Sequence, residues 1–406
     1  MKIIFIFGFA LCFASCVEND TPLPIPTRDP QNSRLAHATL IPRPSLHTLE
    51  GVYTIEHGDA QFGSQLILKE TGDHISLYTA NSRYLVFETG YVDSLAIFEG
   101  YWRYDVGTQT GYATLDIGKD FDTKTKDTNF TLKGHYTPNG STNNVSLVLH
   151  YKRPLKDTTN HFLILDHHGG ENGAGFPYSE NSLNSIRFAQ FIGSNGIEID
   201  VRLTADNIPV LFHDANLSTN LVNGEFAIGP LINYTLAELR ALCTLTDGEP
   251  IPTLQDALDV ILNETDYKVI WLDIKDAGTV QYVLPLEINF INQAKAMGKD
   301  IMIWAGLPTS DHVTAYLADS LHTQAPSLCE LLPSDVENAG CVAWGPRWTV
   351  GDLVNQAKPL RKEGKKVVYW TVDKPEFINP FLDHGALDGL LTDHPGTVAY
   401  YYYIRE

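Results

Sequence analysis

Residues 196–214, GIEIDVRLTADNIPVLFHD, decide the fold of the larger part of this chain. Apolar side chains alternate through residues 197–203, as in a β-strand, and a second short apolar run ends at His213. Glu198 and Asp200 lie between the apolar residues of the first run, and residues two apart in a strand face the same side. Burying a carboxylate is costly unless it is paired or binds a metal ion. The stretch therefore predicts a strand that carries part of a functional site.

The alternation of strand and helix continues through residues 160–406. Eight apolar strands are predicted, namely FLILDHH, GIEIDVRL, PVLFHD, KVIWLDIK, DIMIWAG, CVAWGP, KKVVYWTV and LDGLLTD. Amphipathic stretches such as PTLQDALDVIL separate them and predict helices. The fold class is α/β, and an alternation of this length predicts a (β/α)8 TIM barrel, with a doubly wound sheet as the alternative.

Residues 46–153 predict a separate all-β module. Short runs rich in β-branched and aromatic residues, such as RYLVFETG and SLVLHYK, alternate with turn signals such as TGD and PNGS. About eight such strands indicate a small antiparallel barrel or sandwich. Tyr101, Trp102 and Tyr104 are expected to pack in its core, and the alternative is that they line a site for a glycan or lipid ligand.

The N-terminus, MKIIFIFGFALCFASC, resembles a lipoprotein signal peptide. Its apolar run is too short to span a bilayer, and residues 13–16 resemble a bacterial lipobox that is lipidated at Cys16, although Phe13 departs from that pattern. Residues 17–45 are rich in proline and form an extended tether. We expect a cell-envelope lipoprotein of the outer membrane, periplasmic or surface-exposed, that contacts the membrane through its anchor only. Ordinary signal cleavage is the alternative.

Charge and cysteine content exclude other classes. A formal net charge of −20 argues against nucleic acid or an anionic membrane as the main partner, because both need a basic surface. Beyond the signal peptide the chain has Cys243, Cys329 and Cys341, an odd number that supports no disulfide framework. Cys329 and Cys341 either pair with each other or remain separate buried thiols.

Three acids are expected to meet at one end of the predicted barrel. In a TIM barrel the site lies at the carboxyl ends of the strands, where Asp273 of WLDIK can converge on Glu198 and Asp200. Three adjacent carboxylates repel one another unless a cation neutralises them, and an all-oxygen ligand set suits Mg²⁺ or Ca²⁺. The alternative is that each acid pairs with a basic side chain such as Arg202.

His167 and His213 end two of the predicted strands and form a second pair. Imidazole titrates near neutral pH, so two histidines can act as base and acid on opposite sides of a bond. A cation together with Lys275 would offset the charge of a phosphate group. These residues predict metal-assisted hydrolysis of a phosphodiester.

The motifs of this region, in this order, resemble those of the glycerophosphodiester phosphodiesterase family. The family motifs read His-Arg-Gly, Pro-Glu-Asn, Glu-x-Asp, His-Asp and Glu-x-Lys. The corresponding residues here are His167-His168-Gly169, Ser179-Glu180-Asn181, Glu198-Ile199-Asp200, His213-Asp214 and Asp273-Ile274-Lys275. The likeness covers roughly residues 160–400, including YWTVDKPE and ALDGLLTDHPG.

The resemblance implies a TIM barrel that hydrolyses small-molecule glycerophosphodiesters to glycerol phosphate and an alcohol. It implies His167 and His213 as the acid–base pair. The implied ligands of a divalent cation, Ca²⁺ or Mg²⁺, are Glu198, Asp200 and Asp273. The predicted substrate-binding residues are His168, Glu180, Lys275 and Trp370.

Two substitutions separate this chain from the family pattern. His168 replaces an arginine, and so removes a permanent bidentate phosphate ligand. Asp273 replaces a glutamate and is one methylene shorter. They leave two alternatives open, a non-catalytic barrel that only binds its ligand and a related phospholipase D-type enzyme that acts on intact phospholipid.

Overall fold

A computed structural model describes residues 25–26, 33–155, 161–170 and 176–405. The predicted signal peptide, Cys16 and part of the predicted tether lie outside these residues. Among the described residues, no helix has both the length and the apolar character needed to cross a membrane.

The first module is a closed antiparallel barrel, which decides between the two predicted architectures. Each strand pairs with the next, and the first strand closes the barrel against the eighth. The strands are β1 (Gly51–His57), β2 (Gln65–Thr71), β3 (His74–Thr79), β4 (Arg83–Val92), β5 (Leu95–Tyr104), β6 (Thr110–Gly118), β7 (Thr131–Tyr136) and β8 (Val145–Arg153). Two short helices accompany them, α1 (Arg43–His47) and α2 (Asp59–Phe62).

Side chains fill the interior of this barrel. Trp102 is fully buried in the core, and its indole nitrogen donates a hydrogen bond to the carbonyl oxygen of Thr137 at 2.9 Å. Phe87 and Tyr53 are fully buried in the same cluster. A ligand of this module would therefore have to bind on its outer surface.

The second module is a parallel barrel, as predicted. Its strands and the short strands near them are β9 (Leu163–Asp166), β10 (Gly196–Leu203), β11 (Pro209–Leu211), β12 (Asn216–Leu217), β13 (Val222–Asn223), β14 (Gly229–Pro230), β15 (Thr244–Leu245), β16 (Val269–Ile274), β17 (Met302–Leu307), β18 (Ser327–Cys329), β19 (Ala343–Trp344), β20 (Lys366–Tyr369) and β21 (Gly389–Thr392). The barrel order is β9, β10, β16, β17, β18, β19, β20 and β21, and β21 closes on β9.

Helices cover the outside of the parallel barrel. They are α3 (Leu183–Ala189), α4 (Leu236–Leu242), α5 (Leu254–Glu264), α6 (Val280–Ala296), α7 (Ser310–Ala318), α8 (Pro333–Asn338), α9 (Val354–Lys362), α10 (Pro375–His384) and α11 (Pro395–Tyr403). Helix α5 shows how the sequence sets a boundary. The Thr253 hydroxyl accepts from the backbone N–H of Asp256, whose carboxylate accepts from the backbone of Thr253, and this capping box satisfies the first turn.

One predicted barrel strand is wrong. The stretch PVLFHD contains β11, which pairs antiparallel with β10 and lies outside the closed barrel. The place in the barrel belongs to β18, which is only three residues long and pairs parallel with β17 and β19. So short a strand lacks the alternation that marks the others. The turn before β11 returns the chain alongside β10, and this fixes its antiparallel direction.

The two barrels share an apolar interface. Tyr78, Tyr84 and Tyr101 of the first barrel are buried in the same cluster as Ala399 and Tyr400 of α11. Polar contacts surround this apolar centre. Asp105 lies 3.6 Å from His394 Nδ1, and Arg153 donates to the carbonyl oxygen of Ile404 at 2.6 Å.

The described residues also show whether Cys329 and Cys341 form a disulfide. Cys243, Cys329 and Cys341 are all buried free thiols. The Ser327 hydroxyl donates to Cys341 Sγ at 3.2 Å. No disulfide joins the predicted pair.

Gly100 of β5 permits the close approach of β4. A Cβ atom at this position would lie 1.8 Å from the carbonyl oxygen of Val86. We expect Gly100→Ala to lower the free energy of unfolding by about 1–3 kcal/mol, because the two strands must separate. Gly278→Ala is the matched control, since no atom beyond its chain neighbours lies within 4 Å of the added carbon. Urea denaturation of both variants measures the difference, and equal stabilities would contradict the expectation.

Candidate active site

A cavity of about 450 Å³ lies at the carboxyl ends of the parallel strands. The predicted site residues that line it are His167, His168, Glu198, His213, Asp273, Lys275 and Trp370. Glu180 and Asp200 lie behind these residues and contact them. The parallel barrel thus brings together residues that the sequence places on separate strands.

The three predicted carboxylates meet at the ends of β10 and β16. In the parallel register Asp200 lies beside Asp273. One oxygen from each of Glu198, Asp200 and Asp273 lies within 4.8 Å of the others. Glu198 and Asp200 are buried, at 2% and 0% exposure. The predicted convergence of the three acids is therefore found, and it comes from two neighbouring strands.

The charged form of Glu198 is unfavourable in this cluster. Burial raises its pKa well above the ordinary value, and the negative charges of Asp200 and Asp273 raise it further. Its Oε2 accepts from the backbone N–H of His168 at 2.8 Å, while its Oε1 is buried without a hydrogen-bond partner. An unpartnered carboxylate oxygen beside two further acids is a donor set that a divalent cation satisfies. The residues therefore fit the predicted metal.

Lys275 is the basic partner of these acids. Its Nζ lies 2.6 Å from Asp200 Oδ1 and 2.5 Å from Asp273 Oδ2. Burial lowers its pKa, but the two carboxylates outweigh that effect and raise the pKa, which keeps the ammonium group charged. Arg202 instead pairs with Asp276 at 2.9 Å and donates to the carbonyl oxygen of His213. The alternative in which the acids pair with a basic side chain therefore holds for Asp200 and Asp273, through Lys275 and not through Arg202.

Asn181 fixes the orientation of Asp200. Its Nδ2 donates to Asp200 Oδ2 at 2.6 Å, and its Oδ1 accepts from the backbone N–H of Asp200 at 3.0 Å. The backbone N–H of Asn181 donates to the carbonyl oxygen of His168 at 2.7 Å. Asn181 holds a left-handed φ of 57°, a conformation that asparagine tolerates better than most residues.

His167 is oriented by Asp393, a residue to which we assigned no role from the sequence. Asp393 Oδ1 lies 2.8 Å from His167 Nδ1, and Glu198 Oε2 lies 3.9 Å from His167 Nε2. Burial and the positive charge of His168 lower the pKa of His167, and Asp393 offsets part of this effect. The signal for Asp393 was present in the sequence, because it ends the last barrel strand, LLTD.

The rings of three histidines form a short row. His168 lies between the other two, with centroids 3.7 Å from His167 and 4.4 Å from His213. His168 Nδ1 lies 3.3 Å from Glu180 Oε2, and His213 Nδ1 lies 2.9 Å from Asp214 Oδ1. Burial opposes the charged form of His168, but Asp200 and Glu180 raise its pKa well above 6.5. His168 is therefore a cation where the family pattern has arginine.

Trp271, Glu330 and Arg347 also line the cavity and were not predicted. The Arg347 guanidinium lies 4.8 Å from the ring centroid of Trp370, close enough for a cation–π contact. Burial and the charge of Asp273 raise the pKa of Glu330 to about 8, although nearby Lys275 and Arg347 lower it. Glu330 follows β18, a three-residue strand that was not predicted, so no strand end marked it in the sequence. Arg347 directly follows the predicted strand CVAWGP, so its place at a strand end was a signal present in the sequence.

Comparison with known proteins identifies the family. The model of the glycerophosphoryl diester phosphodiesterase family matches residues 170–397. A glycerophosphodiester phosphodiesterase of Caldanaerobacter subterraneus is 27% identical over 268 residues, which cover 58% of this chain and 96% of that protein. Glycerophosphodiester phosphodiesterase 1 of Homo sapiens is 34% identical over 117 residues, which cover 27% of this chain and 32% of that protein. The chain belongs to the glycerophosphoryl diester phosphodiesterase family, which confirms the predicted resemblance and its enzyme class.

The chain also aligns with solved structures. A glycerophosphodiester phosphodiesterase from Parabacteroides distasonis aligns with a TM-score of 0.47 and 22% identity, covering 59% of this chain and 95% of that chain. The family match begins at residue 170, so the antiparallel barrel lies outside it.

Asp393→Asn tests the pairing with His167. The substitution removes a negative charge that raises the pKa of His167, so the pKa should fall further below 6.5. Histidine ring signals followed by NMR across a pH titration measure the change. Asp388→Asn is the matched control, because Asp388 flanks the other end of β21 and pairs with Arg361. A His167 titration that is identical in wild type and Asp393→Asn would show that the contact has no electrostatic effect.

Proposed function

We propose that the chain hydrolyses glycerophosphodiesters to glycerol phosphate and an alcohol by metal-dependent acid–base catalysis. Membership of the family supports the reaction, since its curated relatives are phosphodiesterases. The observation that carries the mechanism is the unpartnered Oε1 of Glu198 beside Asp200 and Asp273. Burying Glu198 and Asp200 costs free energy that a bound cation would offset.

Glu198, Asp200 and Asp273 would hold the divalent cation, and their oxygen ligands favour Ca²⁺ or Mg²⁺. The bound cation would supply Lewis-acid stabilisation of the negative charge on the phosphoryl oxygens. Asn181 positions Asp200 through two hydrogen bonds. Such outer contacts fix the orientation of metal ligands.

His167 is the better candidate for the general base. Its lowered pKa leaves the ring neutral at physiological pH. Asp393 engages Nδ1, so Nε2 is the nitrogen available to take a proton from the attacking water molecule. His213 lies beyond His168, and its Nδ1 is held by Asp214. In this arrangement His213 would deliver a proton to the leaving alcohol.

Three cations face the cavity and would bind the phosphate. Lys275 and the protonated His168 are close to the acids, and Arg347 lies on the face of Trp370. Arg347 supplies a guanidinium group in a cavity whose family-pattern arginine is replaced by His168. We infer that phosphate binding is shared between these residues, while Glu180 holds His168 in place.

Two substitutions test the mechanism. Purified protein should release glycerol phosphate from deacylated phospholipid, lose this activity in EDTA and recover it with Ca²⁺ or Mg²⁺. His213→Ala should lower kcat by about 10²–10⁴-fold, the usual contribution of a general acid. Glu198→Gln should have little activity, and added Ca²⁺ or Mg²⁺ should not restore it.

Exposed His57→Ala and Glu225→Gln are the matched controls, and both should retain wild-type rates. Full activity of His213→Ala, or activity in EDTA equal to that with added cation, would refute the mechanism. A preference for intact over deacylated phospholipid would favour the phospholipase D-type alternative.

We also propose that the protein is anchored to the outer membrane through a lipid on Cys16. The lipobox-like residues 13–16 and the proline-rich segment that follows support this proposal. Metabolic labelling with a clickable fatty acid should mark the wild-type protein and should not mark Cys16→Ser. Equal labelling of the two proteins would contradict the anchor.

A further inference from the structure

Two further clusters of potential metal ligands occur among the described residues besides the three carboxylates. One consists of His47, Glu50 and Glu70 on the first barrel. Its acids are already paired, because Arg43 Nε lies 2.5 Å from Glu70 and Lys69 Nζ lies 3.5 Å from Glu50. We interpret it as a surface ion-pair network.

The other cluster consists of His168, Asp200 and His213. One ligand atom from each residue lies within 4.8 Å of the others. Two imidazoles and one carboxylate form a mixed nitrogen and oxygen donor set. Imidazole suits Zn²⁺ and similar transition metals, whereas Ca²⁺ and Mg²⁺ prefer oxygen alone. The cluster therefore differs in chemistry from the three carboxylates.

A carboxylate contacts one ring nitrogen of each histidine in this cluster. Glu180 lies 3.3 Å from His168 Nδ1, and Asp214 lies 2.9 Å from His213 Nδ1. A carboxylate on one ring nitrogen is the common arrangement around metal-binding histidines, and the other ring nitrogen is then the ligand. Binding of the ion would release to solvent the proton that His168 carries in the metal-free site.

Asp200 can serve both donor sets. Its Oδ2 accepts from Asn181, and its Oδ1 lies 2.6 Å from Lys275 Nζ. Each carboxylate oxygen carries more than one lone pair, so Oδ1 can accept a second partner. The side chain is fully buried, which concentrates its charge on these few neighbours.

We propose that His168, Asp200 and His213 form a second metal site, selective for Zn²⁺ or a similar transition-metal ion, and that its occupation inhibits the enzyme. A metal ion on His213 would take the place of the proton that this histidine delivers to the leaving alcohol. The inhibitory part rests on the proposed function, whereas Zn²⁺ binding does not.

The site exists because residue 168 is histidine. Arginine is protonated at all physiological pH values and has no lone pair for a metal ion. His168→Arg, which restores the family pattern, should therefore abolish the site. His168 also lines the active-site cavity, so the decisive measurement is metal binding without substrate.

Calorimetric titration of Zn²⁺ into the metal-free, full-length protein measures binding. Wild type should bind one Zn²⁺ that His168→Arg and His213→Ala lose, while Asp273→Asn, which lacks only a carboxylate-cluster ligand, should keep it. His47→Gln controls for the cluster on the first barrel and should bind like wild type. Co²⁺ should give a visible absorption band in wild type that is missing from His168→Arg.

Variants of Glu180 and Asp214, which contact the two histidines, test the site even if a variant of a ligand fails to fold. Glu180→Gln and Asp214→Asn should each weaken Zn²⁺ binding by about 10–100-fold, as is usual when the partner of a metal-binding histidine is removed. Zn²⁺ affinity that is unchanged in Glu180→Gln and Asp214→Asn, or that falls in His47→Gln, would overturn the site.

The inhibitory part has its own readout. At saturating Mg²⁺ or Ca²⁺, Zn²⁺ should inhibit wild type over the same concentration range in which calorimetry detects binding. Bound Zn²⁺ without inhibition would overturn this part alone. If wild type shows no divalent-dependent hydrolysis, the proposed function fails, and the calorimetric result for the site is unaffected.

Discussion

The structure of the site depends on the burial of Glu198 and Asp200 on β10. Two carboxylates that are almost fully removed from solvent must be neutralised, and each contact around them meets part of that need. Asn181 and the backbone of His168 donate hydrogen bonds, while Lys275 supplies a positive charge. These contacts leave Oε1 of Glu198 without a partner. The remaining negative charge is what a divalent cation would neutralise.

The position of the acids in the site could be predicted from the sequence, because it depends on the geometry of a strand and of a parallel barrel. The two-residue period of a strand places Glu198 and Asp200 on one face, and the carboxyl ends of parallel strands meet at one mouth. The family motifs predicted both histidines of the proposed acid–base pair. The prediction of β11 as a barrel strand was wrong, because the direction of a strand depends on a turn and a partner that apolar alternation does not encode.

The residues that prediction missed depend on long-range contacts. His167 and Asp393 are 226 positions apart, and only closure of β21 onto β9 brings them together. Glu330 follows a strand of three residues, which is too short to give a periodic signal. The row of three histidine rings likewise arises from the fold, since the sequence shows His213 far from the other two. The substitution at His168 was visible at once, but its contacts with Glu180 and its neighbours were not.

Cation binding by the three carboxylates is the central claim, and it can be measured directly. Calorimetric titration of Ca²⁺ and of Mg²⁺ into metal-free protein should detect one bound ion in wild type for at least one of these cations. The same titration of Glu198→Gln should detect none, because the substitution removes the charge of the ligand whose Oε1 has no hydrogen-bond partner. Equal binding by wild type and Glu198→Gln, or no binding by either protein, would contradict the account.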